Sequence, residues 1–173
     1  MVDSVLNGKK ILAVDDEPDV LDTLADLLEG YDGLTLDRAS DYESGFHLLR
    51  SWTYDAVILD IMGVRGFDLL NASVNLGYPT VMLTAHALSV EALKQSIDMG
   101  ARMYVPKEKM MEIPEFLEDV ITLSHSSGLK KMFTRLGGFF NAKFGSRWMA
   151  SEKKFWDQVT SGNYTPQPVI LKK

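Results

Sequence analysis

The sequence predicts an α/β protein in which a doubly wound, five-stranded parallel sheet is followed by a C-terminal helical extension. Three observations lead to this prediction. Apolar runs of strand length alternate with helical patterns five times in the first 123 residues. These runs look apolar throughout rather than alternating, as is typical of a parallel sheet that is covered by helices on both faces. Beyond residue 123 the pattern changes to a basic, amphipathic helix.

The predicted elements follow one another as five strand–helix units. The strands are short apolar runs at residues 10–15, 34–39, 56–60, 79–84 and 102–105. The first helix begins near Pro18 and ends at Gly30. The second is opened by Ser40, with Glu43 three residues later as a capping box. Helices at about residues 66–74, 90–99 and 112–123 complete the series, and Ser89 caps the fourth.

Composition excludes several classes of protein. Of the 173 residues, 46% are hydrophobic and 24% are charged, which is typical of a globular chain and not of a disordered one. There is no cysteine, so a disulfide scaffold and a thiolate zinc site are both excluded. No uncharged apolar run approaches the ~20 residues that a membrane span needs. Residues 1–10 lack an apolar core of the signal-peptide type, and we therefore expect a cytoplasmic protein.

Polar side chains follow four of the five predicted strands. Asp15 and Asp16 end the first strand, Asp60 the third and Thr84 the fourth, while Lys107 follows the fifth. Right-handed crossovers bring the carboxyl ends of parallel strands to one edge, where ligands bind. Clustered carboxylates repel one another unless a cation is present, and oxygen ligands suit Mg²⁺. Lysine and threonine add donors for a phosphoryl group, which an aspartate is able to accept.

This arrangement resembles the receiver domain of two-component response regulators, of the chemotaxis-regulator type, over about residues 9–123. The resemblance rests on four segments: 11–17 (Ile-Leu-Ala-Val-Asp-Asp-Glu), 57–62 (Val-Ile-Leu-Asp-Ile-Met), 81–85 (Val-Met-Leu-Thr-Ala) and 100–107 (Gly-Ala-Arg-Met-Tyr-Val-Pro-Lys). It implies the flavodoxin-like receiver fold for this part of the chain.

The resemblance also implies a phosphorylation site and a metal site. Asp60 is expected to be the phosphorylated aspartate, and Lys107 is expected to contact the phosphate. Asp15 and Asp16 are expected to serve Mg²⁺, with Asp16 the more direct ligand. The carboxylate of Asp60 and the backbone carbonyl of Met62 would complete the protein ligands.

Four residues carry the expected switch and its tuning. Thr84 resembles the hydroxyl that moves toward the phosphoryl group, and Tyr104, three residues before Lys107, resembles the aromatic switch residue. Met62 and His86 lie two positions after Asp60 and Thr84, where the family influences the lifetime of the phosphoryl group. We expect His86 to affect the rate of dephosphorylation.

The function implied is that of a phosphorylation-activated response regulator. It would receive a phosphoryl group from a histidine kinase or a phosphotransfer protein and change its partner or its self-association. We expect only slow self-dephosphorylation and no metabolic activity. Two alternatives stay open: a transcription regulator that contacts nucleic acid through its basic tail, and an aspartyl-phosphate phosphatase or phosphotransferase. Aspartyl enzymes of this kind usually place their nucleophile at the end of the first strand. Here that position carries the acidic pair, Asp15 and Asp16, which is expected to serve the metal, and this argues against the enzyme.

The sequence departs from the family at three places. Pro106 precedes Lys107 where the family usually has proline after the lysine, and the isomer of the Val105–Pro106 bond is not readable from sequence. Gly63 stands where the family more often has proline. Only 24 positions separate Asp60 from Thr84, so the third helix is predicted to be short. We interpret these differences as loop changes that leave the cleft intact.

The net charge of −6 is the sum of two segments with opposite net charge. Residues 1–123, the predicted receiver domain, carry nine Lys/Arg and 22 Asp/Glu, a net charge of −13. Residues 124–173 carry nine Lys/Arg and two Asp/Glu, a net charge of +7. We predict a hinge at residues 124–128 and a basic amphipathic helical extension at residues 129–173, with a kink or break at Gly137 and Gly138.

A segment as small as the extension rarely folds alone, so it must dock on another surface. The opposite charges of the two segments favour packing of the extension on its own acidic receiver. Pairing with a second copy in a homodimer is the alternative. A basic amphipathic helix also suits an anionic membrane surface, a protein partner or nucleic acid. We consider nucleic acid unlikely because the segment is short and contains no adequate helix-turn-helix pair.

Overall fold

Five parallel strands form one sheet with the order β2-β1-β3-β4-β5. The computed structural model describes residues 3–85 and 88–165. The strands are β1 (Lys10–Val14), β2 (Thr35–Ala39), β3 (Ala56–Leu59), β4 (Thr80–Thr84) and β5 (Met103–Pro106). The predicted doubly wound parallel sheet is therefore confirmed. The expectation of uniformly apolar strands is wrong for β2, which carries Asp37 and Arg38, because this strand lies at an edge and is only partly buried.

Five helices alternate with the strands, as predicted. They are α1 (Pro18–Leu28), α2 (Tyr42–Ser51), α3 (Gly66–Asn75), α4 (Val90–Asp98) and α5 (Ile113–Thr122). Ser89 caps α4 as expected, since its hydroxyl accepts a hydrogen bond from the Ala92 N–H at 3.1 Å. The predicted cap of α2 is displaced by one residue: the carboxylate of Asp41, and not Ser40, accepts from the Ser44 N–H at 2.7 Å.

The C-terminal extension begins as a single long helix, which corrects two predictions. α6 spans His125–Phe144 and is followed by a 3-10 turn (Ala150–Glu152) and by α7 (Lys153–Ser161). The predicted hinge at 124–128 is instead the cap and first turn of α6, because the Ser124 hydroxyl accepts from the Ser127 N–H at 3.2 Å.

The predicted break at Gly137 and Gly138 is also absent from α6, which is continuous through both residues. Each glycine within a helix costs about 1 kcal/mol relative to alanine. The apolar face of α6 buries Leu129, Leu136 and Phe140 completely or nearly so, and burial of one such side chain contributes roughly 1.5–3 kcal/mol. Tertiary packing therefore outweighs the poor helix propensity.

The extension packs on the receiver beside the edge strand β5, between α4 and α5. Its N-terminal end is tied to the chain before β5, where His125 Nε2 lies 3.2 Å from the Ala101 carbonyl oxygen. Its C-terminal end reaches α4, where the Tyr164 hydroxyl donates to the Ile97 carbonyl at 3.2 Å. Of the predicted modes of docking, intramolecular packing is the one the structure contains.

Aromatic rings form the core of the extension. Phe133, Phe140, Trp148 and Trp156 contact one another, with ring centroids 4.8 to 6.3 Å apart in most pairs. All four are buried. Among the described residues, no helix is both long enough and apolar enough to cross a lipid bilayer.

Candidate functional site: an acidic cleft at the carboxyl edge of the sheet

The strand pairing places two carboxylates side by side. Just beyond β1, the Asp15 N–H donates to the Ala39 carbonyl at 3.1 Å, and just beyond β3 the Asp60 N–H donates to the Val14 carbonyl at 2.9 Å. Both residues therefore leave the sheet at the same edge. Their side chains are buried, with exposed fractions of 2% for Asp15 and 3% for Asp60.

Asp16 completes a cluster of three carboxylates. One ligand oxygen from each of Asp15, Asp16 and Asp60 lies within 4.8 Å of the others. Asp15 and Asp60 are buried, whereas Asp16 is exposed on the solvent side. An all-oxygen set with an open side fits a hard divalent cation such as Mg²⁺, which retains several of its waters. We call this cluster together with Lys107 the cleft.

Lys107 reaches the cleft although proline precedes it. Its Nζ lies 2.9 Å from Asp15 Oδ2 and 3.5 Å from Asp60 Oδ1. The Val105–Pro106 peptide is trans, as is every peptide bond in the part of the chain that the structure describes. Nζ also lies 3.3 Å from Glu17 Oε1. Glu17, which directly follows the acidic pair, was not among the predicted site residues.

Burial dominates the electrostatics of the cleft. Desolvation, reinforced by the negative charges of Asp15 and Asp16, raises the pKa of Asp60 to about 6, while the Lys107 ammonium acts in the opposite direction. Burial also raises the pKa of Asp15, against the Glu17 N–H, which donates to Asp15 Oδ1 at 2.8 Å. The pKa of Lys107 is raised because its acidic neighbours outweigh its own desolvation. In the absence of a cation, Asp60 therefore keeps its proton to a higher pH than an ordinary aspartate, and Lys107 stays charged at neutral pH.

The two predicted switch residues, Thr84 and Tyr104, are both buried. Thr84 is the last residue of β4 and is buried. Tyr104 lies within β5, and its side chain is completely buried. Burial raises the pKa of Tyr104 to about 12, so that its phenol is neutral at physiological pH. Its neighbours are Met132 and Phe140 of α6, which no local sequence signal indicated.

The structure describes only one of the two predicted tuning residues. The side chain of Met62 is exposed in the turn after Asp60. The role of its carbonyl as a ligand stays a prediction. His86 lies outside the described residues, and its effect on dephosphorylation also stays a prediction.

Two glycines shape the loop after Asp60, and their role was not predicted from the sequence. Gly63 adopts a φ of +85°, and a Cβ at this position would overlap the Asp16 carboxylate. Proline, with φ fixed near about −65°, is incompatible with this conformation. A Cβ at Gly66 would overlap the backbone of Asp60 and Ile61. The glycines therefore allow the loop to lie directly against two residues of the cleft.

Comparison with known proteins identifies relatives of the sheet and the cleft. Residues 11–118 match the family described as the response regulator receiver domain. The transcriptional regulatory protein CusR of Escherichia coli K12 is 34% identical over 102 residues, which cover 57% of this chain and 44% of that protein. The DNA-binding response regulator MtrA of Mycolicibacterium smegmatis is 32% identical over 102 residues, with the same two shares. The chain thus spans less than half the length of these relatives.

Solved structures agree with this assignment. The signal receiver domain of an HD domain-containing protein from Pseudomonas fluorescens Pf-5 has a TM-score of 0.61 at 25% identity, covering 73% of this chain and 96% of that one. A CheY-like receiver domain protein from Methanospirillum hungatei JF-1 has a TM-score of 0.54 at 27% identity, covering 65% of this chain and 95% of that one. The family match ends within α5, so α6 and α7 lie outside it.

Proposed function

This chain belongs to the response regulator receiver domain family, and from that premise we propose that it is a phosphorylation-controlled switch. Its acceptor is Asp60, which takes a phosphoryl group from a histidine kinase or a phosphotransfer protein in an Mg²⁺-dependent reaction. The observation that carries the proposal is the convergence of Asp15, Asp16, Asp60 and Lys107 in one cleft.

The proposed reaction is a direct displacement. An oxygen of the Asp60 carboxylate forms a bond to phosphorus while the P–N bond of the phosphohistidine breaks, and the imidazole leaves with the electron pair. Such transfers pass through a loose transition state, so positioning and charge neutralisation dominate. The three carboxylates and the Met62 carbonyl would hold Mg²⁺, which would neutralise charge on the transferred oxygens.

Lys107 provides the second positive charge. Its raised pKa keeps the ammonium protonated at neutral pH, where it already neighbours Asp60. A phosphoryl group adds roughly −2 charge and three acceptor oxygens. These oxygens would draw Lys107 away from Asp15 and attract the hydroxyl of Thr84. That movement is the proposed first step of the switch.

The experiment is labelling of the full chain with phosphoramidate, a small phosphodonor, followed by intact mass measurement with and without Mg²⁺. Wild type is expected to gain one phosphoryl group only when Mg²⁺ is present, and Asp60→Asn is expected to gain none. Asp26→Asn, which changes an exposed aspartate on α1, is the matched control and should be labelled like wild type. Full labelling of Asp60→Asn would contradict the proposal and favour the aspartyl-enzyme alternative.

A nucleic-acid function has weaker support. CusR and MtrA are named as transcriptional and DNA-binding regulators, but their matches cover only 57% of this chain. Several basic side chains of α6 face acids of this same chain: Lys131 lies 2.7 Å from Asp119, and Arg135 lies 3.1 Å from Glu112. We therefore propose that much of the positive charge serves docking. Binding of duplex DNA by the full chain would instead support a nucleic-acid function.

A further inference from the structure

A cavity lies where the C-terminal extension meets the receiver, between α4 on one side and the 3-10 turn and α7 on the other. Its volume is about 420 Å³, and small-molecule sites typically enclose roughly 300–1,000 Å³. One wall belongs to the extension, which lies outside the matched family region, so the cavity is not a feature of the receiver domain alone. None of the four residues of the cleft lines it.

We propose that this cavity binds a small organic cation, an aliphatic polyamine with at least two ammonium groups. Two properties of the wall support this class of ligand: an excess of negative charge, and apolar surface in the same cavity. Binding of such an amine does not involve phosphorylation of Asp60.

The charged side chains of the wall are three acids and one base. Glu91, Asp98 and Glu152 contribute three negative charges and Lys94 contributes one positive charge, which leaves a net charge of −2. Lys94 Nζ lies 2.7 Å from Asp98 Oδ2 and 3.3 Å from Glu152 Oε2. Glu91 forms no ion pair with any residue that the structure describes. The wall therefore has negative charge that its own lysine does not balance.

Lys94 shows how this wall holds an ammonium group. Its Nζ contacts two carboxylates and lies 4.8 Å from the centroid of the Phe155 ring, a cation–π distance. Each of these contacts uses one oxygen of Asp98 or Glu152, and a carboxylate accepts several hydrogen bonds through its two oxygens. A second ammonium would therefore find acceptors of the same kind at these residues and at Glu91.

The spacing of the acids favours a long amine over a short one. Glu91 and Asp98 lie seven positions apart on α4, which is two turns or roughly 10 Å along the same face. A flexible chain with ammonium groups at both ends, such as spermidine, spans this distance. Ethylenediamine, whose two ammonium groups are separated by only two carbons, does not.

The apolar part of the wall explains why we infer an organic cation and not a metal ion. Val90, Met99 and Trp156 contribute aliphatic and aromatic surface to the cavity. The methylene groups of an amine are removed from water against such surface, whereas a hard metal ion needs several converging oxygen ligands. In the described part of the chain, the carboxylates that converge closely enough for a metal are those of the cleft.

Calorimetric titration of the full chain with spermidine tests this inference. One molecule is expected to bind per chain, more weakly as the salt concentration is raised. Octanediol supplies a neutral chain of similar length, and ethylenediamine supplies two ammonium groups that are too close together. Both are expected to bind weaker than spermidine by about fivefold or more. Absence of spermidine binding, or equal binding of either comparison compound, would overturn the inference.

A matched pair of glutamates tests the location of the site. Glu91 and Glu43 are each the second residue of a helix and both are exposed, but only Glu91 lines the cavity. Glu91→Gln is expected to weaken spermidine binding about fivefold, which is the value of one charge pair at about 4 Å in water. Glu43→Gln should bind like wild type. Similar weakening in both variants would indicate attraction to the acidic receiver as a whole and would refute a site in the cavity.

Two further variants test competing positions of the amine and of the cavity's occupant. The double variant Asp16→Asn, Asp60→Asn removes two of the three carboxylates of the cleft and should leave spermidine binding unchanged. Loss of binding in this variant would place the amine in the cleft. The chain's last two residues, Lys172 and Lys173, also carry ammonium groups. Binding that occurs only when both are replaced by glutamine would assign the cavity to them. Either result would overturn the inference.

Tryptophan emission provides a readout at the cavity itself. Trp156 lines the cavity, and its ring centroid lies 4.8 Å from that of Trp148, whereas Trp52 is 55% exposed on the receiver. In a Trp52→Phe chain, the emission therefore comes from the extension alone. Spermidine should change this emission with the same midpoint as the calorimetric titration. Constant emission throughout a saturating titration would contradict binding in the cavity.

Discussion

At the scale of single residues, the pKa of Asp60 depends strongly on the surrounding groups. Burial, together with Asp15 and Asp16, raises its pKa to about 6. In an unfolded chain an aspartate has a pKa of about 3.9. The folded protein therefore binds the proton more tightly than the unfolded one. Without a cation, this residue favours folding at low pH, and its contribution is lost as the pH rises from about 4 to about 6.

Replacing the charge at this position should therefore stabilise the metal-free protein at neutral pH. In the presence of EDTA, Asp60→Asn is expected to raise the free energy of unfolding by about 2 kcal/mol at about pH 7.5 and to change it little at about pH 4. Urea denaturation at the two pH values measures this difference. Asp26→Asn, at an exposed position, should have no effect at either pH. An equal effect of Asp60→Asn at both pH values would contradict the assigned electrostatics.

Gly63 matters because of the space that it leaves for Asp16. A side chain at position 63 would displace either the loop or the Asp16 carboxylate. We expect Gly63→Ala to weaken Mg²⁺ binding about tenfold, as loss of a supporting contact around a metal typically does. Calorimetric titration with Mg²⁺ measures the affinity.

Gly77→Ala is a close control for Gly63→Ala. Gly77 has nearly the same φ, +84° against +85°, but a Cβ there meets nothing within 4 Å. Both variants carry the strain of a positive φ, and only Gly63→Ala crowds Asp16. Equal Mg²⁺ affinities for the two variants would refute the role of Gly63.

At the scale of elements, α6 shows how packing overrides local preference. Its two central glycines lie within a continuous helix, and a Cβ at either position would meet nothing within 4 Å. Gly138→Ala is therefore expected to raise the free energy of unfolding by about 1 kcal/mol, because it removes backbone entropy from the unfolded chain. Thermal or urea denaturation measures the change.

Gly162→Ala provides the opposite case. This residue ends α7 with φ of +83° and lies close to the side chain of Lys130, so alanine there should destabilise the protein. If Gly138→Ala were as destabilising as Gly162→Ala, the glycine would be needed for the shape of α6, and the account of that helix would be wrong.

Local signals explain which elements were predictable. The apolar runs, together with the Pro18 start and the Ser89 cap, place all five strands and α1 to α5 within one or two residues of their observed bounds. Strand order then brings Asp15, Asp60 and Lys107 to one edge, because the topology of a parallel sheet leaves few alternatives. The main part of the cleft was therefore accessible from the sequence.

The features that were missed depend on contacts between distant parts of the chain. The composition of residues 124–128 is typical of a turn, and a hinge was therefore predicted there. In the structure, these residues form the cap and first turn of α6, which docks beside β5. The role of Gly63 depends on a backbone angle and on the position of Asp16, neither of which has a local sequence signal. The same holds for the contact between Tyr104 and Met132, which are 28 positions apart.

At the scale of the whole molecule, the contrast between the −13 receiver and the +7 C-terminal segment corresponds to a docked pair of surfaces. Lys131, Arg135 and Lys143 each lie within 3.7 Å of an acid on α5 or the turn before it. The pairs of Arg135 and Lys143 are partly exposed and contribute only about 0–1 kcal/mol each, whereas Lys131 pairs with Asp119, which is buried. The buried aromatic cluster is therefore expected to dominate docking, with the charges adding orientation.

Two variants compare these contributions. Phe140→Ala is expected to reduce the free energy of unfolding by about 3–5 kcal/mol, since the ring is completely buried. A double variant with glutamine at positions 135 and 143 is expected to lose no more than about 2 kcal/mol. Urea denaturation of the full chain measures both. A larger loss in the double variant would mean that charge, and not apolar packing, holds the extension.

The central claim is that Asp60 alone accepts the phosphoryl group. The most direct test is to locate the group after phosphoramidate treatment in Mg²⁺, by reducing the acyl phosphate with borohydride and mapping the modified residue by peptide mass spectrometry. The account predicts a single modified position, Asp60, and none in a sample prepared without Mg²⁺. Modification at Asp15 or Asp16 instead would contradict it.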